Sequence, residues 1–312
     1  MQKLVIDTDP GVDDALAILM AHAAPDTEVL ALTIAAGNVG LAHTTRNALK
    51  LVELIGAATP IHPGAATPLV AVPEDAAFVH GVDGFGDVGY AAPKRAAERE
   101  HAAATLVRLA RAHPGELTYV MLGPLTNLAL ALALEPALPT LVKRLVVMGG
   151  AVTGRGNLPM PRLTVEFNIG FDPEAARVVF DAWPELELVD WEAVVRHGIA
   201  YAELDRWFAT GGAIAEFYEA ISRKTRAFMA GTRDTEVWHG ADALAMAVAL
   251  EPARVAQWAQ RRVMVELVGE HTRGMTVVDW NERCGRPANT KIALEFPLER
   301  FRTIVSHALG VR

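Results

Sequence analysis

Four aspartates within eight residues near the start of the chain have the spacing of a cation-binding loop: Asp7, Asp9, Asp13 and Asp14. They follow the apolar run Leu4-Val5-Ile6, and Pro10-Gly11 separates them from the helix-forming residues 15–20. The pattern predicts a loop that joins a buried strand to a helix. Carboxylates crowded at the end of an apolar strand raise one another's pKa values or hold a cation between them. Because Ca²⁺ accepts roughly six to eight oxygen ligands whereas Mg²⁺ retains water, an oxygen cage made by the protein favours Ca²⁺.

The aspartate loop also admits a simpler interpretation, because Asp is common in solvated turns. Its position directly after an apolar strand favours a bound cation over a solvated turn. Within the loop, we expect Asp7 to face inward and to brace the backbone by accepting N–H bonds. Asp9, Asp13 and Asp14 then divide the contacts to a metal and to a substrate.

A second polar set lies in the middle of the chain. Glu166 and Asn168 stand two residues apart in a stretch that we expect to be extended. Both side chains then point to the same side, as a clamp on adjacent hydroxyls requires. A segment rich in glycine and proline precedes them and contains Asn157. Asp172 followed by Pro173 predicts a capped helix start with proline at its first position.

A third set comprises His239 and Asp242, which precede an apolar helix. Asp242 stands where an N-cap is expected, so helix capping and metal ligation explain it about equally well. His80 lies within residues 60–93, which are rich in glycine, proline, histidine and aspartate and show no sustained period. These residues predict a long loop near the site.

Strand-like and helix-like segments alternate along most of the chain, which predicts an α/β fold with a mostly parallel central sheet flanked by helices. In such a Rossmann-like open sheet, ligands bind at the C-terminal ends of the strands, where we expect the polar sets to meet. Residues 1–312 are expected to form a single domain with a helical insertion at about 202–240. Besides the first strand, the predicted strands are residues 28–35, 117–122 and 144–148, and the predicted helices include residues 44–55, 125–134 and 298–309.

The composition excludes several classes of function. With 312 residues, 51% of them hydrophobic, the chain is long enough to build a large core. A net charge of -8 without a cluster of Lys and Arg argues against nucleic-acid binding. The first strand begins by residue 3 and no apolar run reaches membrane-spanning length, so we expect a cytoplasmic protein without a membrane partner. Cys284 is the single cysteine, which excludes an internal disulfide and predicts a buried inert thiol.

These motifs together resemble those of the inosine-uridine preferring nucleoside hydrolases, over nearly the full length of the chain. The segment Asp7-Thr8-Asp9-Pro10-Gly11-Val12-Asp13-Asp14 is similar to that family's signature. The resemblance implies an enzyme that hydrolyses the N-glycosidic bond of ribonucleosides to ribose and free base, with Ca²⁺ as cofactor. The supporting motifs stand in the family's order: Gly37-Asn38, Leu122-Gly123-Pro124-Leu125-Thr126-Asn127, Met148-Gly149-Gly150, Glu166-Phe167-Asn168, Asp172-Pro173-Glu174-Ala175-Ala176 and Asp242.

The resemblance also implies roles for individual residues. The implied ligands of Ca²⁺ are three carboxylates and one backbone carbonyl: Asp9, Asp14, Asp242 and Leu122. Asp9 is also the implied general base, which takes a proton from the calcium-bound water. Asn38 would support the cluster. The implied ribose contacts are Asp13 and Asn168 to the diol, Asp242 to the 3′-hydroxyl, and Asn157 with Glu166 to the 5′-hydroxyl.

The chain departs from the family's commonest pattern at the group that would assist the leaving base. Many members have His directly before the final metal-binding Asp, whereas this chain has Ala241 there and His239 three residues before Asp242. His239 and His80 are therefore both candidate catalytic residues, and solvent is the third source of a proton.

Two alternatives come from other functional classes. A phosphohydrolase of the haloacid dehalogenase type would use Mg²⁺ and Asp7 as its nucleophile. A non-catalytic nucleoside-binding protein would retain the metal cage without activating the leaving base, as Ala241 suggests. The sequence leaves the base preference open, and the resemblance implies a homo-oligomer, either a dimer or a tetramer.

Overall fold

The computed structural model describes residues 1–233 and 236–311 of the chain. The strands are β1 (Gln2–Thr8), β2 (Thr27–Ile34), β3 (Ile61–Pro63), β4 (Leu117–Met121), β5 (Arg144–Met148), β6 (Leu186–Val189), β7 (Ile199–Ala200), β8 (Val237–Trp238), β9 (Gln257–Arg261), β10 (Val263–Val265), β11 (Thr276–Val278) and β12 (Thr290–Glu295). The helices are α1 (Val12–Ala23), α2 (Leu41–Leu54), α3 (Ala77–His80), α4 (Ala102–Ala112), α5 (Thr126–Leu134), α6 (Leu138–Leu141), α7 (Phe167–Phe171), α8 (Pro173–Ala182), α9 (Trp191–Arg196), α10 (Tyr201–Phe208), α11 (Gly212–Arg233), α12 (Ala241–Leu250) and α13 (Leu298–Ala308).

Within the described residues, eight strands form one sheet in the order β3-β2-β1-β4-β5-β6-β12-β9. Every neighbouring pair is parallel except β12 with β9. From β1, the chain adds β2 and β3 on one side, and it adds β4 to β6 on the other. This reversal is a topological switch point, where a crevice opens at the C-terminal ends of β1 and β4. The predicted α/β fold is confirmed, and the aspartate loop follows the strand at the crevice.

Alternation of side chains along β1 explains why helices cover both faces of the sheet. Leu4 and Ile6 point into a core shared with α1, α12 and α13, whereas Val5 points into a core shared with α4, α5 and α8. All three side chains are fully buried. The strand that carries the aspartates is therefore fixed by packing on both sides.

Most predicted elements are confirmed to within a few residues, including β2, β4, β5, α5 and α13. Residues 60–93, predicted as a loop, also contain the short elements β3 and α3. The helical prediction for residues 202–240 corresponds mainly to α10 and α11, and residues 234 and 235 of that segment lie outside the described residues. No helix in the described part of the chain is long and apolar enough to cross a membrane.

The prediction of a buried Cys284 is wrong, because this cysteine is exposed. It lies in a turn that closes on Asp279, whose carboxylate accepts the backbone N–H groups of Arg283 at 2.9 Å and of Cys284 at 2.7 Å. Side-chain capping of a surface turn therefore places the thiol in solvent.

Candidate active site

The turn from β1 into α1 is wrapped around the carboxylate of Asp14. This carboxylate accepts hydrogen bonds from the backbone N–H of Gly11 at 3.0 Å, that of Asp9 at 3.2 Å, and the side-chain amide of Asn38 at 2.9 Å. The hydroxyl of Thr8 also donates to it. Asp14 thus lies in the first turn of α1, where backbone donors and the helix dipole stabilise a negative charge.

Asp9 lies beside Asp14 in a cradle that only glycine permits. Its Oδ2 accepts the backbone N–H of Asn38 at 2.6 Å. A Cβ atom on Gly37 would lie 2.1 Å from Oδ2, and one on Gly123 would lie 2.3 Å from Oδ1. The turns after β2 and β4 therefore close directly onto this carboxylate, because neither carries a side chain there.

Asp7 faces inward as predicted, but its hydrogen bonds are not the predicted ones. Its Oδ2 accepts the hydroxyl of Thr33 at 2.6 Å and the side-chain amide of Asn127 at 2.9 Å, so side chains rather than backbone N–H groups hold it. Asn127 also donates to the carbonyl of Ile34 at 3.1 Å. Burial raises the pKa of Asp7 to about 7.

A cluster of carboxylates forms where α1 and α12 begin. Ligand oxygens of Asp13, Asp14 and Asp242 all lie within 4.8 Å of one another. Burial raises the pKa of Asp9 and of Asp242, and the negative charge of Asp14 raises both further. The Oδ1 atoms of Asp9 and Asp13 are buried and have no hydrogen-bond partner among the described residues.

Such a cluster fits a bound divalent cation. Buried carboxylates at this spacing repel one another unless they are protonated or share a positive charge. The donors are all oxygen atoms, which suit a hard cation such as Ca²⁺ or Mg²⁺. A cation or a water bound to it would give the Oδ1 atoms of Asp9 and Asp13 the partner that they lack among the described residues. The residues present could therefore hold a metal ion.

The second predicted set is also adjacent to the cluster, although its backbone is not extended as predicted. Glu166 is the N-cap of α7, and its carboxylate accepts the backbone N–H groups of Asn168, Ile169 and Gly150 at 2.9, 3.1 and 2.9 Å. The extended interpretation is wrong because these donors favour a helix start over a strand. Burial raises the pKa of Glu166 to about 7.

Amide side chains tie this helix start to the ends of β4 and β5. Asn168 donates to the carbonyl of Leu122 at 2.6 Å and to that of Met148 at 3.3 Å. Asn157 accepts the backbone N–H of Phe167 at 2.8 Å through its Oδ1. The Nδ2 group of Asn157 can donate to a ligand, and its Oδ1 keeps a second lone pair.

Asp242 is not the N-cap of α12, since Gly240 occupies that position and Asp242 is the second residue of the helix. The capping interpretation is therefore wrong, and the carboxylate instead lies within the cluster. His239 precedes this helix, with its ring centroid 6.1 Å from that of Trp191 in an edge-on arrangement.

His80 ends α3 and faces the aspartate loop. Its Nδ1 accepts the backbone N–H of Val12 at 3.2 Å. The neutral ring therefore carries its proton on Nε2. Burial lowers the pKa of His80 to about 4, so the ring is neutral near pH 7 and can donate one hydrogen bond through Nε2.

These residues surround a cavity of about 300 Å³. Asp9 and Asp14 are buried next to this cavity. Nine other predicted site residues line it: Asp13, Asn38, His80, Leu122, Asn157, Glu166, Asn168, His239 and Asp242. The predicted site residues do not include a largely apolar part of the lining, which comes from α3, α9, α11 and β8: Phe78, Val79, Trp191, Thr225, Phe228, Met229 and Trp238. The scattered aromatic residues of α11 were the available sequence signal for this part, but the signal does not tell which of them reach the cavity.

The family described as inosine-uridine preferring nucleoside hydrolase matches residues 4–303. The non-specific ribonucleoside hydrolase RihC of Shigella boydii is 36% identical, over 99% of this chain and 98% of the relative. A plant nucleoside hydrolase, the PpNRh1 enzyme, has a TM-score of 0.92 at 30% identity, covering 100% of this chain and 99% of that one. An inosine-guanosine nucleoside hydrolase has a TM-score of 0.90 at 34% identity, and the match covers 99% of this chain and 98% of that one.

The match covers nearly the whole chain, including the aspartate loop, the strand ends and the start of α12. It excludes the phosphohydrolase and favours an enzyme over a non-catalytic binding protein. The chain therefore belongs to the inosine-uridine preferring nucleoside hydrolase family and is an enzyme that hydrolyses ribonucleosides.

Proposed function

We propose that this enzyme is a calcium-dependent ribonucleoside hydrolase that splits the N-glycosidic bond to ribose and free base, with Asp9 as its general base. The observation that carries the proposal is a carboxylate cluster at a cavity that is also lined by apolar and aromatic side chains. A nucleoside combines the same two characters, because its ribose is polar and its base is a flat ring with apolar faces.

The proposed metal ligands are the carboxylates of Asp9, Asp14 and Asp242 and the carbonyl oxygen of Leu122. Ligand oxygens of Asp14 and Asp242 lie within 4.8 Å of each other and of Asp13, and burial and the charges of Asp14, Asp13 and Asp9 all raise the pKa of Asp242, which supports a cation among these carboxylates. The number of oxygen donors supports Ca²⁺ over Mg²⁺, which keeps more of its water. When bound, the cation supplies Lewis acidity, which lowers the pKa of water and makes a nucleophile available near neutral pH.

Asp9 is suited to accept a proton. Burial and the charges of Asp14, Asp13 and Asp7 raise its pKa well above its usual range, which makes it a stronger base than an exposed carboxylate. One oxygen is fixed by the backbone N–H of Asn38, and the other has no partner among the described residues. We assign this second oxygen to the proton of the attacking water.

The remaining polar residues are assigned to ribose. Asp13, Asn168 and Asp242 would hold the 2′- and 3′-hydroxyls, and Asn157 with Glu166 would hold the 5′-hydroxyl. As the bond from C1′ to the base nitrogen breaks, its electron pair leaves with the base and positive charge develops on the ribose ring. Fixed carboxylates near the sugar stabilise this charge more strongly in the transition state than in the ground state.

The departing base accepts a hydrogen bond or a proton in exchange for its lost bond to carbon. His80 and His239 both line the cavity. The Nε2–H of His80 is available as a donor, since its Nδ1 is bonded to Val12. We assign the apolar lining to the base itself. In this lining, the rings of Phe78 and Phe228 pack edge-on, with their centroids 5.5 Å apart.

The first experiment measures release of reducing ribose from inosine, adenosine, guanosine, uridine and cytidine, with and without a chelator. Release that a chelator abolishes and Ca²⁺ restores supports the proposal. Release that is indifferent to chelation contradicts the metal assignment, and no release from any nucleoside contradicts the reaction. The panel spans purines and pyrimidines because relatives of similar identity are named non-specific and inosine-guanosine hydrolases.

We extend the proposal to a single catalytic domain over residues 1–312, a homo-oligomer, and a cytoplasmic role in nucleoside salvage. These extensions rest on the family and on its reaction. Light scattering of the purified protein tests the oligomer, and a monomer at micromolar concentration contradicts it.

A further inference from the structure

A fully buried amide joins two loops of the site. Asn47 in α2 donates through Nδ2 to the carbonyl oxygen of Pro10 at 2.8 Å and to that of Asp83 at 2.9 Å. Pro10 belongs to the aspartate loop, and Asp83 to the loop that follows His80. The hydroxyl of Tyr90 donates to Oδ1 of Asn47, so the two N–H groups and the oxygen of the amide all have partners.

Two glycines allow these loops to approach the amide and each other. Gly84 has a φ of +80°, and a Cβ there would lie 2.8 Å from Nδ2 of Asn47. A Cβ on Gly11 would lie 2.8 Å from Nδ1 of His80. Since neither position tolerates a side chain, glycine is what lets the two loops approach each other and Asn47 this closely. We call the hydrogen bonds that join Asn47 to Pro10, Asp83 and Tyr90 the Asn47 clasp.

The clasp acts on His80 through a short chain of bonds. The carboxylate of Asp83 accepts the N–H groups of Phe85 at 2.7 Å and Asp87 at 3.0 Å, so only its carbonyl is directed at Asn47. The N–H of Gly86 returns to the carbonyl of His80 at 2.7 Å. The loop is thus internally braced, and a shift at Asp83 relative to Pro10 moves His80 relative to the aspartate loop.

We propose that Asn47 is a positioning residue that holds the loop of His80 against the aspartate loop, so that Nε2–H of His80 stays directed at the leaving base. The inference rests on the proposed hydrolysis of nucleosides. Removal of the amide leaves the buried carbonyl oxygen of Pro10 and the partly buried carbonyl oxygen of Asp83 without their donor, which favours separation of the loops. The defect should therefore fall on departure of the base rather than on sugar binding.

The test compares two substrates of the calcium-loaded enzyme. Inosine carries a base that needs a hydrogen bond to leave, whereas p-nitrophenyl β-D-ribofuranoside carries a leaving group that departs as a stable phenolate. For Asn47→Ala, we expect kcat for inosine to fall by roughly tenfold to a hundredfold with KM nearly unchanged, and turnover of the nitrophenyl riboside to change little. An equal fall for both substrates overturns the inference. A wild-type enzyme that hydrolyses neither substrate contradicts the proposed function instead.

The chain offers a matched control in Asn289. Its Nδ2 also donates to two carbonyls, those of Phe180 at 2.7 Å and Val263 at 3.1 Å, but it lies before β12, which is second from the other edge of the sheet. Asn289→Ala should lower stability without changing the ratio of the two turnover rates. If Asn47→Ala does not fold, Tyr90→Phe removes one bond of the clasp and should shift the ratio in the same direction; an unchanged ratio in that folded variant rejects the role of Asn47.

Discussion

Asp14 and Asp242 bring carboxylate oxygens within 4.8 Å of each other, although they belong to the first turns of two different helices. These helices, α1 and α12, pack together in one core, so the meeting of the carboxylates is fixed by apolar contacts. The positive ends of both helix dipoles offset part of the repulsion. The remaining repulsion must be relieved by protons or by a cation, and the two possibilities make opposite predictions about pH.

Stability of the metal-free protein should decrease as pH rises. Burial raises the pKa of Asp13 to about 6 and that of Asp7 to about 7, from 3.8. Between about pH 4 and pH 7, the folded carboxyls then bind more protons than the unfolded ones, so the free energy of unfolding falls with rising pH. Ca²⁺ binds the ionised carboxylates, so its stabilising effect should grow over the same range. Thermal denaturation with chelator and with Ca²⁺ measures both trends; a Tm of the chelated protein that rises across this window contradicts the assignment.

Asp14→Ala should abolish specific calcium binding. Asp14 has the largest charge effect on the pKa of both Asp9 and Asp242, which indicates that it is central to the cluster. Isothermal titration of the chelated variant with Ca²⁺ should give no saturable heat. Asp26→Ala, which changes an exposed aspartate, serves as the control and should bind like the wild type. Undiminished affinity in Asp14→Ala would remove this residue from the ligand set.

Asp9→Asn should stop hydrolysis and leave nucleoside binding in place. The amide keeps the shape of the carboxylate but cannot accept a proton from water, so kcat should fall by roughly 10²-fold or more. Equilibrium binding of inosine to the calcium-loaded variant should stay within several-fold of the wild type. Persistent turnover would exclude Asp9 as the base, whereas loss of calcium from the variant would assign its main effect to metal binding.

The parts of this site that could be predicted are those that depend on residues close together in the sequence. The aspartate loop follows from eight consecutive residues, and the strands on either side of it are short apolar runs with glycine or proline at their ends. Their meeting at one edge follows from the parallel sheet. The local structure at Glu166 was predicted wrongly, because a carboxylate that accepts three backbone N–H groups makes a helix start out of a segment that resembles a strand.

The clasp at Asn47 and the apolar lining could not be predicted in the same way. Asn47 lies in an amphipathic helix and gives no sign in the sequence that it bonds to Pro10 and Asp83. Phe78 and Phe228 meet where α3 packs on α11, and the hydroxyl of Thr225 helps to join these helices by donating to the carbonyl of Val79 at 3.0 Å. Contacts of this kind are set by tertiary packing.

Phe78→Ala should weaken binding of purine nucleosides more than that of pyrimidine nucleosides. Phe78 is 58% exposed at the cavity, packs on Phe228, and offers a ring face that a larger base covers more fully. An aromatic contact of about 0.5–1.5 kcal/mol corresponds to a rise in KM of roughly twofold to tenfold for inosine. Steady-state kinetics with inosine and uridine give the comparison. Val82→Ala alters another exposed apolar residue of this loop and should change neither KM; equal effects of Phe78→Ala on both nucleosides would contradict a stacking role.

Replacement of each histidine in turn should identify the group that assists the leaving base. The structure favours His80, because Val12 fixes its proton on Nε2 and burial lowers its pKa to about 4, which keeps the donor tautomer populated at all pH values above about 5. His80→Gln should therefore lower kcat for inosine by roughly 10²-fold and leave turnover of p-nitrophenyl β-D-ribofuranoside nearly intact. His239→Gln should affect both substrates to a similar and smaller extent. The opposite pattern, selective loss with His239→Gln, would move the role to His239 and would show that the loop before α12 compensates for Ala241.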